Sequence, residues 1–209
     1  MRFVFYVEGD AEELVLADWI DRWLNPQLLK PVNIKVFNPR GNRPFLQEIV
    51  NNVRTTLSQR DNRRIIACIG LLDLYGFPGG FPTGVRSVPE RYAWAQKKVQ
   101  DDVARPRFHM YFAVHEFEAW LLSQSDIFDP ALRGDIGKLG HRPEDVDFGN
   151  PPAKRLDVLY MKALKHKYVK TLDGNSLFGR LDPEEARKKC PYLRKMLDEL
   201  LQMAKDAGL

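Results

Sequence analysis

Residues 64–74 read RIIACIGLLDL, an apolar run that meets no charged side chain between Arg64 and Asp73. It is too short to cross a bilayer, which takes roughly 20 residues. A strand with one wet face alternates apolar and polar residues, and this one does not. An unbroken run of this kind marks a central strand covered on both faces, as in parallel sheets. Three more strand-type runs lie around it, at 2–8 (RFVFYVE), 31–37 (PVNIKVF) and 107–114 (RFHMYFAV). Helical patterns at 9–25, 44–59 and 88–104 separate them. In the first, Leu14, Ala17, Ile20, Trp23 and Leu24 recur at helical spacing, Asp10 is placed to cap the start and Pro26 to stop the end. Strand and helix in strict alternation predict an α/β fold, a mostly parallel Rossmann-like sheet flanked by helices.

Beyond about residue 125 the strand pattern stops. Residues 133–156 read as irregular, and helices are expected at about 151–166 and 182–207. The expected organisation is an α/β core over 1–124 and a helical extension over 125–209 packed on it. Hydrophobic residues make up 44% of the chain, enough for a sizeable core and too many for a disordered one. The N-terminal apolar run is too short for a signal peptide. Cys68 and Cys190 stand far apart, which argues against a disulfide framework or a zinc site. These features lead to the expectation of a cytoplasmic protein with no membrane segment.

The chemistry concentrates at the ends of the predicted strands. Glu8 ends the first, Asp73 the third, and the fourth runs into HEFEAWLL, which carries His115, Glu116 and Glu118. In open α/β sheets ligands bind beyond the carboxyl edge of the strands. Bare carboxylates are costly to bury unless paired, protonated or bound to a cation. Hard oxygen donors of this kind suit magnesium. Plainer roles stand beside this: Asp73 bonding to the GFP turn that follows it, and His115 as a structural hydrogen-bonding group. With a helix starting near Phe117, residues two apart point in different directions, so only one of Glu116 and Glu118 faces the cleft easily. Lys154 and Arg155, after the NPP turn, and Lys170, in YVKTLDG, are placed to meet phosphate. The net charge of +4 permits a polyanionic partner without requiring one. No Walker-type loop and no GxSxG elbow is present.

Taken together, the elements VEGDAE, DLYGFP, HEFEAWLL, PPAKRL, YVKTLDG and CPYLRKML resemble the Toprim (topoisomerase–primase) superfamily. They are most similar to a bacterial family of unknown function related to the overcoming-lysogenization-defect nucleases and the RloB-like proteins. The resemblance implies a small parallel sheet between helices and a Mg2+- or Mn2+-dependent nuclease. Glu8 and Glu12 match the first motif, and Asp73 matches the first acid of the usual DxD. The FEAWLL match selects Glu118 over Glu116, which stays in reserve as a metal ligand. On this reading Glu8, Asp73, Glu118 and Lys154 are catalytic, and Glu8, Glu12, Asp73, Glu116 and Glu118 hold metal. Lys154, Arg155 and Lys170 bind the nucleic acid. The sequence departs from the pattern at Tyr75, where the second DxD acid is expected. The substrate is DNA or RNA, and the resemblance further implies an effector of anti-phage defence partnered by an ABC-type ATPase, with room for a homo-oligomer. The competing expectation, supported by Tyr75, is a non-catalytic module that binds nucleic acid or the ATPase.

Overall fold

The computed structural model describes residues 1–145 and 149–209. Its centre is a four-stranded, wholly parallel sheet: β1 (Arg2–Tyr6), β2 (Asn33–Phe37), β3 (Ile65–Asp73) and β4 (Phe108–Ala113), in the order β2-β1-β3-β4. Helices α1 (Asp10–Leu24), α2 (Asn42–Leu57) and α3 (Val88–Val103) are the crossovers. The α/β alternation expected from the sequence is therefore present. The order places a reversal between β1 and β3, because the chain leaves β1 towards β2 and returns on the other side. Tyr6 pairs with Gly70 and Asp73 with Ala113, so the carboxyl ends of the three strands lie at one edge.

β3 is covered on both faces, as its apolar run demands. Ala67, Ile69 and Leu71 join one core with Phe3, Phe5, Trp19 and Trp120. Cys68 and Leu72 join the other with Tyr6 of β1 and with Phe45, Ile49, Tyr92 and Val99 from α2 and α3. Both cysteines are buried free thiols. No helix among the described residues is long and apolar enough to cross a membrane.

Several local expectations are corrected. The cap of α1 is Gly9, with no side-chain hydrogen bond, and Asp10 instead accepts from Asn38 Nδ2 at 2.8 Å. The buried face of α1 runs through Glu12, Leu16, Trp19, Ile20 and Trp23, while Leu14 is 57% exposed. Running into the stretch read as irregular, Pro130–Leu139 forms α4, started by Asp129 accepting from the Ala131 amide at 2.9 Å. An Asp-Pro start was the overlooked signal. Next come α5 (Pro152–Leu164), a short π-helical turn at Lys170–Gly174, and α6 (Asn175–Arg180). The single closing helix expected over 182–207 is two, α7 (Pro183–Lys189) and α8 (Pro191–Asp206). Pro191 forces the residue before it out of helical conformation, and Cys190 sits at φ −113°, ψ 94°.

Away from the sheet edge, Glu144 is buried and accepts from the Tyr192 and Leu193 amides at 2.8 and 3.2 Å, closing the start of α8. Burial pushes its carboxyl up to about 7, against the two amides. The folded chain then holds this proton more tightly than the unfolded one. Its contribution to stability therefore falls as pH rises from about 4.5 to about 7, by on the order of 3 kcal/mol. Urea unfolding of wild type and Glu144→Gln at pH 5 and pH 8 reads this directly. The wild-type advantage should shrink towards pH 8, and a constant difference would contradict it.

Candidate functional site

The edge beyond β1 and β3 opens into a cleft of about 430 Å³, lined by Glu8, Glu12, Asp73 and Lys170 together with Asn38 and Arg40. It lies at the strand-order reversal, where α/β sheets place their ligands. Each acid arrives by a different local device. Glu8 follows β1, whose line is extended by the Val7 amide donating to Phe37 O at 3.0 Å. Glu12, one turn into α1, folds back over Gly9, where a Cβ would stand 2.9 Å from Glu12 Oε2. A side chain at position 9 would therefore push the Glu12 carboxylate out of this place. Asp73 is the last residue of β3. Its Oδ1 accepts from the Phe117 amide at 2.8 Å, so it ties β3 to the segment after β4 and not to the GFP turn.

That segment, Phe117–Ser123, is a 3-10 helix, not the α-helix expected, and every residue in it is buried. Phe117 and Trp120, three apart, fall on one side and stack on Phe178 (4.2 Å) and Trp19 (5.4 Å). The two glutamates are separated by this geometry. Glu118, 2% exposed, pairs with Lys170 Nζ at 3.0 Å. Glu116 Oε2 accepts from the Ala153 amide at 2.8 Å, at the start of α5. His115 is buried in the left-handed region (φ 67°), and its carbonyl accepts from the Tyr75 amide at 2.9 Å.

The electrostatics bind these groups into one cluster. Burial raises the Glu8 carboxyl; the Asp73 backbone and Lys170 oppose this, while Glu116 and Glu118 add to it. Burial also raises Glu12, against backbone amides and Lys170. Asp73 is held well above the usual range by burial first, then by the charges of Glu12, Glu118 and Glu8. Glu118 is raised by burial despite Lys170. For Lys170, burial works against the charge, but Glu118, Asp73 and Glu116 outweigh it and push its pKa up. One ammonium therefore serves several carboxylates. Lys170, expected to grip the nucleic acid, stands inside the acidic cluster.

Among the described residues no group of three or more His, Cys, Asp or Glu is drawn together as a metal-ligand set. As the side chains stand, Lys170 is the counter-cation. The donor chemistry nevertheless fits a hard divalent ion. Every group is a carboxylate, and Glu8 Oε2 is buried with no hydrogen-bond partner. Lys154 is exposed on the first turn of α5 and does not line the cleft, so the geometry carries no catalytic role for it. Arg155 donates from Nε to Asn150 O at 2.8 Å and lines a small separate hollow beside His115. Tyr75 is 41% exposed. Glu12, four residues after Glu8, supplies the largest charge acting on Asp73. Asn38 and Arg40 escaped the sequence reading because the loop after β2 carries no recognised motif.

Residues 7–201 match the family model described as Domain of unknown function (DUF4276). The chain belongs to the DUF4276 family. No curated protein matches it in sequence. Among solved structures, this DUF4276 chain is similar to the C-terminal region of the Burkholderia pseudomallei OLD protein, with TM-score 0.48 and 17% identity over 97% of this chain and 98% of that one. The C-terminal region of the Xanthomonas campestris pv. campestris OLD protein gives TM-score 0.45 and 15% identity, over 99% and 96%.

Proposed function

We propose that this chain is a divalent-metal-dependent nuclease of Toprim type that hydrolyses phosphodiester bonds. The observation that supports it is the meeting of Glu8, Glu12 and Asp73 in one cleft at the strand-order reversal, with Glu118 joined to them through Lys170. Glu8, Glu12, Asp73 and Glu118 are the residues that would hold Mg2+ or Mn2+, whose chemistry when bound is charge neutralisation at a phosphodiester and activation of a water. Asp73 has one oxygen committed to the Phe117 amide and keeps the other for the cleft. In the alternative role of general base, Glu8 would take a proton from a nucleophile on Oε2, an acceptor without a donor. Lys170 balances charge as the site changes its contents, and Lys154 and Arg155 lie outside the cleft as contacts for a longer strand. The Toprim resemblance extends the proposal to an anti-phage effector acting with an ABC-type ATPase.

The test is cleavage of single-stranded DNA, duplex DNA and tRNA with Mg2+ or Mn2+, by wild type and Asp73→Asn. The variant should lose on the order of 10²-fold or more in rate while keeping its circular dichroism spectrum. Cleavage by the variant at the wild-type rate would remove Asp73 from the chemistry and the reading with it. A non-catalytic binding module is the second reading, favoured by Tyr75 at the second DxD position and by an ammonium already balancing Glu118. Calorimetry separates the two, because the module takes up neither Mg2+ nor Mn2+.

A further inference from the structure

Beside the acidic cleft lies a second hollow of about 390 Å³, and the two share Asn38. Its floor is aromatic. Phe37, the last residue of the edge strand β2, is 50% exposed, and its ring stacks on buried Tyr6 with centroids 6.0 Å apart and planes 25° apart. Tyr6 is fixed from behind, its hydroxyl hydrogen-bonded to Thr56 Oγ1 at 2.7 Å and Asn52 O at 3.2 Å. The rim offers amides, hydroxyls and carboxylates, from Asn52, Thr55, Gln59 and Glu48, and no cation. Such a lining repels a phosphate. It suits a flat, uncharged group with amino and imino donors at its edge.

Two residues past the shared Asn38, on the cleft side, stands Arg40. It is a non-glycine residue in the left-handed region (φ 64°), held there by its own amide on Asn38 Oδ1 at 2.6 Å and by the Gly41 amide on Glu8 O at 2.8 Å. A strained residue over-determined by its surroundings is a common mark of a functional position. Arg40 is exposed and lines the cleft. Phe37 lines the hollow, and Arg40 lines the cleft together with Glu8, Glu12 and Asp73, so an aromatic face, a cation and a carboxylate cluster lie side by side.

We propose that this corner is a subsite for one unpaired nucleotide of a single-stranded nucleic acid: the base stacks on Phe37, and the phosphate next to it meets Arg40 at the mouth of the cleft. A base in a duplex has no free face for Phe37, so the subsite selects unpaired strands. The inference rests on the nuclease reading for its biological sense, but not for its test.

The experiment follows binding of a single-stranded oligodeoxynucleotide containing 2-aminopurine, in EDTA, by fluorescence. Wild type should bind it and quench the probe. Phe37→Ala should weaken binding roughly ten-fold and lose the quenching, while Phe37→Trp keeps both. Arg40→Gly, which suits the left-handed backbone, should weaken binding and lower the salt dependence by about one counterion. Asp73→Asn should still quench. Equal binding by wild type, Phe37→Ala and Arg40→Gly, or no binding by wild type, overturns the subsite. Quenching without metal-dependent cleavage keeps the subsite and sinks the nuclease. Cleavage with quenching indifferent to Phe37 does the reverse.

Discussion

Lys170→Met should destabilise the chain in EDTA at neutral pH by about 3 kcal/mol. Truncating one partner leaves Glu118, 2% exposed, as an uncompensated buried charge. The figure sits at the low end of the range for such losses because Lys170 is 43% exposed and water screens part of the pair. The same change removes the charge that offsets repulsion among Glu8, Glu12 and Asp73. Two further results follow. Glu118→Gln in the Lys170→Met background should restore most of the loss, since the orphaned charge is then gone. The penalty should also shrink at pH 5, where carboxyls already raised by burial take up protons and lose their charge. Urea unfolding of the four members of the cycle measures all three. Wild-type stability for Lys170→Met would mean that the acids are not balanced by this ammonium.

Trp19→Ala should be the costliest single truncation, at about 3–5 kcal/mol. Trp19 is 1% exposed and belongs to α1, yet its ring contacts and its side-chain hydrogen bond reach other elements. Its ring stacks on Trp120 at 5.4 Å and meets Phe178 edge-on at 6.0 Å, and its Nε1 donates to Leu181 O at 3.2 Å. It therefore joins the helix that carries Glu12, the 3-10 segment that carries Glu118 and the region just after Lys170. Loss of the ring removes apolar contact on all three and leaves a large cavity. The expected signature is a lowered unfolding midpoint in urea, accompanied by weaker protection of residues 117–123 and 168–181 in hydrogen exchange. A loss below about 1 kcal/mol would show that these elements are held together by other contacts.

The strands and their order in the chain were legible because apolar periodicity is a local property. RIIACIGLLDL reads as a doubly covered strand wherever it stands, and the structure buries it between two cores. The acids at the strand ends were legible for the same reason. Segments whose form depends on their packing were not. FEAWLLS has the composition of an α-helix, but Phe117 and Trp120 are drawn to Phe178 and Trp19, and the backbone tightens to 3-10. The breaks at Asp129–Pro130 and Cys190–Pro191 carried proline signals that the reading passed over.

What the residues alone settle is which strands form and which carboxylates end them, since pleat and apolar period act over a few positions. Which charges then share a cleft is decided only by the three-dimensional packing. Lys170 reaches Glu118 across 52 positions, and Glu116 bonds to the start of α5 while its charge still acts on Glu8 and Lys170. Coulomb and desolvation energies depend on distance through space, and the order of residues along a chain does not contain that distance.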